Sequence, residues 1–127
     1  MHFLAVGCGG FLGAIARYVI SGYLHHHYDG KFPIGTFVVN FLGCLIIGLM
    51  ATLIETRDLF SPNVRLLIIT GFLGSLTTFS TFGYESWLLM RLGHYKTAGL
   101  YITANLVLGL AGVFLSVLLG RWLSRFF

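Results

Sequence analysis

The sequence predicts an all-α membrane protein of four transmembrane helices, and two observations carry that prediction. Hydrophobic residues make up 57% of the 127-residue chain and charged residues only 9%, far below the roughly 25% charged of an ordinary globular chain. A soluble domain this small has too much surface to cover with so few charges, whereas lipid-facing positions call for apolar side chains. The second observation is pattern. Four apolar stretches each reach the roughly 20 residues needed to cross the hydrocarbon core, and short polar connectors separate them. The length suits a single domain, residues 1–127, with no stretch left for a soluble one.

Helix 1 is expected from about Phe3 to Leu24, with one charge, Arg17. Ala14-Ile15-Ala16 mimics a signal-peptide cleavage site. No positively charged segment precedes it and the apolar run continues past it, so helix 1 is expected to be retained. Helix 2 runs from about Phe32 to Ile54 without a charge, and Pro33 suits its first turn. Helix 3 spans about Leu66 to Met90, with Glu85 near its end and Pro62 in the loop before it. Helix 4 covers about Thr97 to Leu123, with Arg121 at its exit. The connectors are His25–Lys31, Glu55–Arg65 and Arg91–Lys96.

The net charge is +4, from eight Lys and Arg against four Asp and Glu. The bases form no run, which argues against nucleic acid as a partner and suits headgroup contact at helix ends. Four helices put both termini on one side of the bilayer. That side holds Arg57, Arg65, Arg121 and Arg125; the other holds Arg17, Lys31, Arg91 and Lys96. This balance leaves the positive-inside rule almost nothing to act on, so insertion in both orientations is expected. Small residues four apart recur at Gly9 and Gly13, at Cys44 and Gly48, and at Gly112, Ser116 and Gly120. Such spacing lets helices approach closely in lipid. Four thin helices bury little surface alone, so an oligomer is expected. Cys8 and Cys44 lie inside apolar stretches and read as small packing residues rather than a disulfide or metal pair.

The least helix-like stretch is Gly71 to Gly83, with three glycines and five hydroxyl residues. Gly and Thr rank low in helix propensity, and hydroxyls compete for backbone partners. Two forms fit this chemistry. One is an unbroken helix with hydroxyls bonded to the preceding turn. The other is a helix broken near its centre, tolerated in a membrane only where protein or a wet or ion-filled cavity surrounds the break. Phe79 and Phe82 share a helical face. They either pack or present their electropositive ring edges to a small anion. Asn40, one turn after Thr36 on helix 2, is costly in a bilayer unless bonded; it is helix–helix glue or a pore donor. Tyr101 and Asn105 form a similar pair on helix 4. Arg17 either snorkels or lines an aqueous mouth. Glu85 and Arg91 are expected near the opposite interface. His25, His26 and His27 read as a solvated loop, because adjacent imidazoles rarely converge on one ion.

Taken together, Gly10 to Tyr18, Gly35 to Asn40 and, most heavily, Gly71 to Phe82 make the chain resemble the Fluc/CrcB fluoride channels along nearly its whole length. The resemblance implies an antiparallel, dual-topology homodimer in the inner (plasma) membrane, with two pores that export cytoplasmic fluoride passively and so lower its toxicity. It assigns Phe79 and Phe82 to the pore's phenylalanine pair, Asn40 to its asparagine, and Ser80 and Thr81 to neighbouring hydroxyls. It assigns Arg17 to the aqueous mouth and Tyr101 to the start of a polar track on helix 4. Gly74 and Thr77 match the break in helix 3, where backbone carbonyls of both subunits hold one structural Na⁺. Serines would follow Tyr101 in that track, but here Asn105 and Gly109 stand there. Thr36 and Asn105 complete the expected pore set. A proton-coupled exporter of the same size is the main rival; it needs a carboxylate deep in the membrane, where helices 1, 2 and 4 have none at their centres. A non-transporting subunit is a second rival. No nucleophile–base set suggests an enzyme.

The charge balance has a direct consequence. A reporter fused to the C-terminus should be found on both sides of the membrane, and two or three lysines added to one end should collapse it to one side. A one-sided reporter on the unaltered chain would contradict dual insertion.

Overall fold

The structure is a computed structural model that describes residues 2–57 and 60–126; residues 58 and 59 of the expected Glu55–Arg65 connector lie outside this range. Its elements are helical throughout: α1 (His2–His26), α2 (Ile34–Arg57), α3 (Pro62–Arg65), a π-helical stretch (Leu66–Leu73), α4 (Gly74–Leu76), α5 (Phe79–Arg91) and α6 (Tyr95–Leu123). Four helical spans, His2–His26, Ile34–Arg57, Pro62–Arg91 and Tyr95–Leu123, are long and apolar enough to cross a membrane. The protein is therefore a multi-pass membrane protein.

Most helices run further than their apolar cores. Hydropathy falls at the first polar residues, but backbone hydrogen bonding continues into the interfacial region. His25 and His26 accordingly sit in the last turn of α1 rather than in a loop. Lys96 sits in the first turn of α6. Pro62 opens α3 instead of preceding it, a position where its missing N–H costs nothing. At the other ends, Gly93 takes a positive φ of 79° in the turn between α5 and α6, and the Arg57 guanidinium donates to the Ser124 carbonyl.

Two close interfaces organise the bundle. α2 packs most extensively on α6. Here the small-residue stripes read from the sequence meet: Gly48 faces Ser116, Gly120 faces Thr52, and Gly112 faces the Phe41 ring. Cys44 lies half-buried in this seam, while Cys8 is exposed on α1. The second interface presses α1 onto the π-helical stretch. A Cβ on Gly9 would strike the Leu67 carbonyl, and one on Gly13 the Phe72 carbonyl. The two backbones thus meet with no side chain between them. The buried side chains form two clusters. One joins Val39, Leu73 and Leu76, flanked by Ala16, Ile20, Ile47 and Phe72. The other joins Phe82, Leu89, Ala98 and Tyr101, flanked by Phe32, Phe37 and Ile102. Large apolar side chains such as Phe3, Leu110 and Phe114 face outward, as lipid or a second copy requires.

Gly13→Val should lower the melting temperature and folded yield in detergent, because overpacking of this kind typically costs about 1–3 kcal/mol. Gly7→Ala, whose Cβ would meet nothing within 4 Å, should leave both unchanged. Equal stability of the two variants would show that the α1 seam is not close-packed.

Candidate functional site

Between α4 and α5 the backbone is extended at two residues, Thr77 (φ −86°, ψ 155°) and Thr78 (φ −150°, ψ 121°). Thr77 still closes the preceding turn. Its N–H and its hydroxyl both donate to the Leu73 carbonyl, at 3.1 and 3.0 Å. Thr78 does not. In a continuous helix its N–H would reach the Gly74 carbonyl; instead it donates to Asn40 Oδ1 at 2.9 Å. Asn40 Nδ2 donates in return to the Thr78 carbonyl at 3.2 Å. The side-chain amide on α2 thus pairs with the peptide group as a neighbouring strand would. The Thr78 hydroxyl then caps α5, accepting the Thr81 N–H at 3.3 Å. It also donates to Thr81 Oγ1 at 2.9 Å and lies 3.4 Å from Ser80 Oγ.

The second N–H of Asn40 is directed at Asn105 Oδ1 on α6, at 3.3 Å. Asn105 Nδ2 is held by the Tyr101 carbonyl one turn earlier, at 2.9 Å. Tyr101 is fully buried, at 0% exposure. Its ring packs perpendicular to Phe32, centroids 5.3 Å apart, and tilted on Phe82 at 5.4 Å. Its hydroxyl donates to Glu85 Oε2 at 2.6 Å, and Thr36 donates to Glu85 Oε1 at 3.0 Å. Both carboxylate oxygens are therefore bonded, as a half-buried charge requires. Phe79 and Phe82 touch, with centroids 5.6 Å apart and planes at 51°. Their surroundings differ sharply: Phe82 is 8% exposed and Phe79 80%. One ring is part of the core, and the other is bare.

Two cavities flank Thr78. The smaller, of about 350 Å³, is lined by Asn40, Gly74, Thr77, Phe79, Phe82 and Asn105 together with Thr78. Gly43 also lines it, and a Cβ there would collide with the Thr77 methyl. The larger, of about 680 Å³, is lined by Arg17, Thr36, Thr81 and Glu85, again with Thr78, and also by His25, Lys31 and His94. The candidate residues therefore divide into two sets joined at one threonine. Ser80 and Tyr101 line neither cavity; Ser80 is exposed, and the Tyr101 hydroxyl is bonded to Glu85, which lines the larger one. His27 turns back on its own helix, with Nδ1 2.8 Å from the Tyr23 carbonyl and its ring on the Tyr23 ring.

Glu85 is the residue that the sequence did not bring into the site. Read as an interfacial acid near a helix end, it lines the larger cavity together with Arg17, His25 and Lys31. The signal was present in the spacing: four residues after Thr81 and three after Phe82, Glu85 shares their helical face. Its partners Thr36 and Tyr101 come from two other helices, which no local pattern reveals.

Comparison with known proteins completes the description. Residues 4–117 match the family described as CrcB-like protein, Camphor Resistance (CrcB). The chain is 46% identical over 121 residues to the fluoride-specific ion channel FluC of Chloroflexus aurantiacus, covering 95% of this chain and 96% of the relative. It is 45% identical over 122 residues to that of Nitratidesulfovibrio vulgaris, covering 95% and 98%. Identity to the one from Acidobacterium capsulatum is 42% over 121 residues, covering 95% and 97%. With a family match along most of its length and relatives this similar from end to end, the chain belongs to the CrcB-like family.

Proposed function

We propose that this protein is a fluoride-specific channel that lets cytoplasmic fluoride leave the cell passively. The observation that carries the reading is its 42–46% identity, across 95% of its length, to relatives bearing that name. The chemistry of the task fits a passive route. Hydrogen fluoride crosses membranes uncharged and dissociates in a more alkaline cytoplasm, where the anion is trapped. A negative-inside potential then drives fluoride out through any selective pore. A channel also needs no catalytic set. None of the relatives named above bears the name of a proton-coupled exporter.

The geometry supports a path in which an anion meets Arg17 in the larger cavity, passes the Thr81 and Thr78 hydroxyls, and reaches Phe82, Phe79 and Asn40 in the smaller one. Among the described residues no Lys or Arg lines the smaller cavity, so the ion would meet neutral donors and ring edges rather than a charge that traps it. The pore is completed by a second copy in an antiparallel homodimer. The four-against-four charge balance and the bare ring of Phe79 support that pairing. The break in the third span, at Thr77 and Thr78, would then lie at depth in the bilayer, shielded by the partner.

Phe79→Leu and Phe82→Leu should each cut fluoride efflux from proteoliposomes by tenfold or more while the protein elutes normally. A similar-volume swap costs little if the rings merely fill space. Asn40→Asp should block as well, since a carboxylate repels the anion and has no amide N–H to donate. Near-normal flux in all three folded variants would remove the path assignment.

The same segment fits one structural Na⁺. Asn40 draws the Thr78 N–H away from the Gly74 carbonyl, leaving that oxygen without its usual helical partner, and Thr77 turns extended beside it. Carbonyl oxygens from two copies across a two-fold axis would give one hard cation an all-oxygen shell, the ligand type such ions prefer. Exchange of Na⁺ for a bulky organic cation should lower thermal stability and fluoride flux, with recovery when Na⁺ returns. Indifference of both to Na⁺ would defeat this assignment.

A further inference from the structure

We propose that Asn105 is an internal competitor for the anion at Asn40 and thereby sets how tightly fluoride is held there and how fast it leaves. The inference rests on the channel reading above. Asn40 has two N–H donors, and both are engaged within the protein. The one on the Thr78 carbonyl belongs to a reciprocal pair, and its loss would strand a peptide group. The one on Asn105 Oδ1 is 3.3 Å long, beyond the usual 2.7–3.2 Å range, and breaking it strands nothing on the backbone. It is the N–H an arriving anion can take.

Asn105 cannot itself turn to greet that anion. Its Nδ2 is held at 2.9 Å by the Tyr101 carbonyl. Turning the amide over would set Oδ1 against that carbonyl, acceptor against acceptor. The side chain therefore turns its oxygen, not its Nδ2, toward Asn40. A fixed acceptor is a poor ligand for an anion. It occupies the donor the anion needs and stands ready to take it back. A charge-assisted hydrogen bond is about twice as strong as a neutral one, so fluoride can displace the amide oxygen, but at a cost equal to the bond displaced. That cost corresponds to roughly three- to tenfold in a binding constant. Release is assisted by the same amount, which suits a pore.

The test is the concentration dependence of fluoride efflux from proteoliposomes of the full chain. Asn105→Ala should lower the half-saturating fluoride concentration roughly three- to tenfold and also lower the maximal rate, because the ion is held longer. Asn105→Ser, whose hydroxyl can turn away or donate, should shift half-saturation the same way and serves where the alanine variant folds poorly. Asn105→Asp keeps the acceptor and adds charge, so it should raise half-saturation and reduce flux. A ligand role predicts the opposite sign for alanine, a higher half-saturation. A packing role predicts lower folded yield with unchanged half-saturation. Either result in the alanine and serine variants would overturn the proposal while leaving the channel reading intact. Absence of fluoride flux in the unaltered protein would instead bring down the channel reading, and this proposal with it.

Discussion

The reciprocal pair between the Asn40 amide and the Thr78 peptide is the constraint on which the rest of the site depends. A peptide group without partners in an apolar setting costs several kcal/mol (roughly 2–7), and the extended pair Thr77–Thr78 lies inside a 30-residue apolar span. Asn40 answers both the N–H and the C=O of Thr78 with a single side chain. An aspartate at that position would satisfy only the N–H, and a leucine neither. The pair must also be held at fixed depth from both sides. On one side the glycine and serine seam of α2 with α6 sets where Asn40 stands. On the other, the glycine seam of α1 with the π-helical stretch sets where the third span approaches α4 and Thr78. Glycines let both seams close, against backbone in the α1 seam and against Ser116, Thr52 and the Phe41 ring in the other, and the register of the site follows from that close approach.

Once Thr78 is held, the two cavities follow. Its extended backbone ends one helical segment and its hydroxyl begins the next, so α5 leaves in a new register with Thr81 and Glu85 on one face and Phe79 displaced to another. Phe82 becomes the wall between the halves of the site, fixed by Tyr101 and Phe32 behind it. The Tyr101 hydroxyl also binds Glu85, which Thr36 secures from α2. One buried tyrosine thereby couples the aromatic wall to the carboxylate of the larger cavity. This polar network is fully bonded, and in a low-dielectric setting a fully bonded network is stiff while a partly bonded one is unstable.

The four spans were legible in the sequence because hydropathy is additive along a chain and needs no tertiary information. The small-residue stripes were legible too, and they proved to face one another at Gly48 with Ser116 and Gly120 with Thr52. The candidate set around Asn40, Phe79 and Phe82 came from the unusual chemistry of Gly71 to Gly83 and from resemblance. What stayed hidden was every relation set by distance across helices. Glu85 looked interfacial because a carboxylate near a helix end usually is. Its bonds to Thr36, 49 residues earlier, and to Tyr101, 16 later, could not be read from that position. Asn40 was read as either glue or donor, and its hydrogen bonds to Thr78 and Asn105 tie α2 to the third span and to α6. The π-helical winding of Leu66–Leu73 has no local signature in residue type, and helix ends ran past the hydropathy limits because backbone bonding does not stop at the first charge.

A site built in this way changes what ion passage has to overcome. In water an anion is surrounded by mobile donors, and a dry pore must replace them at once or not at all. Here the donors that face the smaller cavity are not waiting unsatisfied: the Asn40 N–H groups already have acceptors, and Phe79 and Phe82 already contact one another. Under the channel reading, fluoride exchanges one intramolecular bond for one to itself and returns it on leaving. Each step is then the difference between two bonds, not the making or breaking of one. A charged ligand such as lysine at the same depth would tilt that balance by the full strength of an ion pair in a low dielectric, and the ion would stay. The neutral and mutually satisfied character of the group is therefore what reconciles recognition with release.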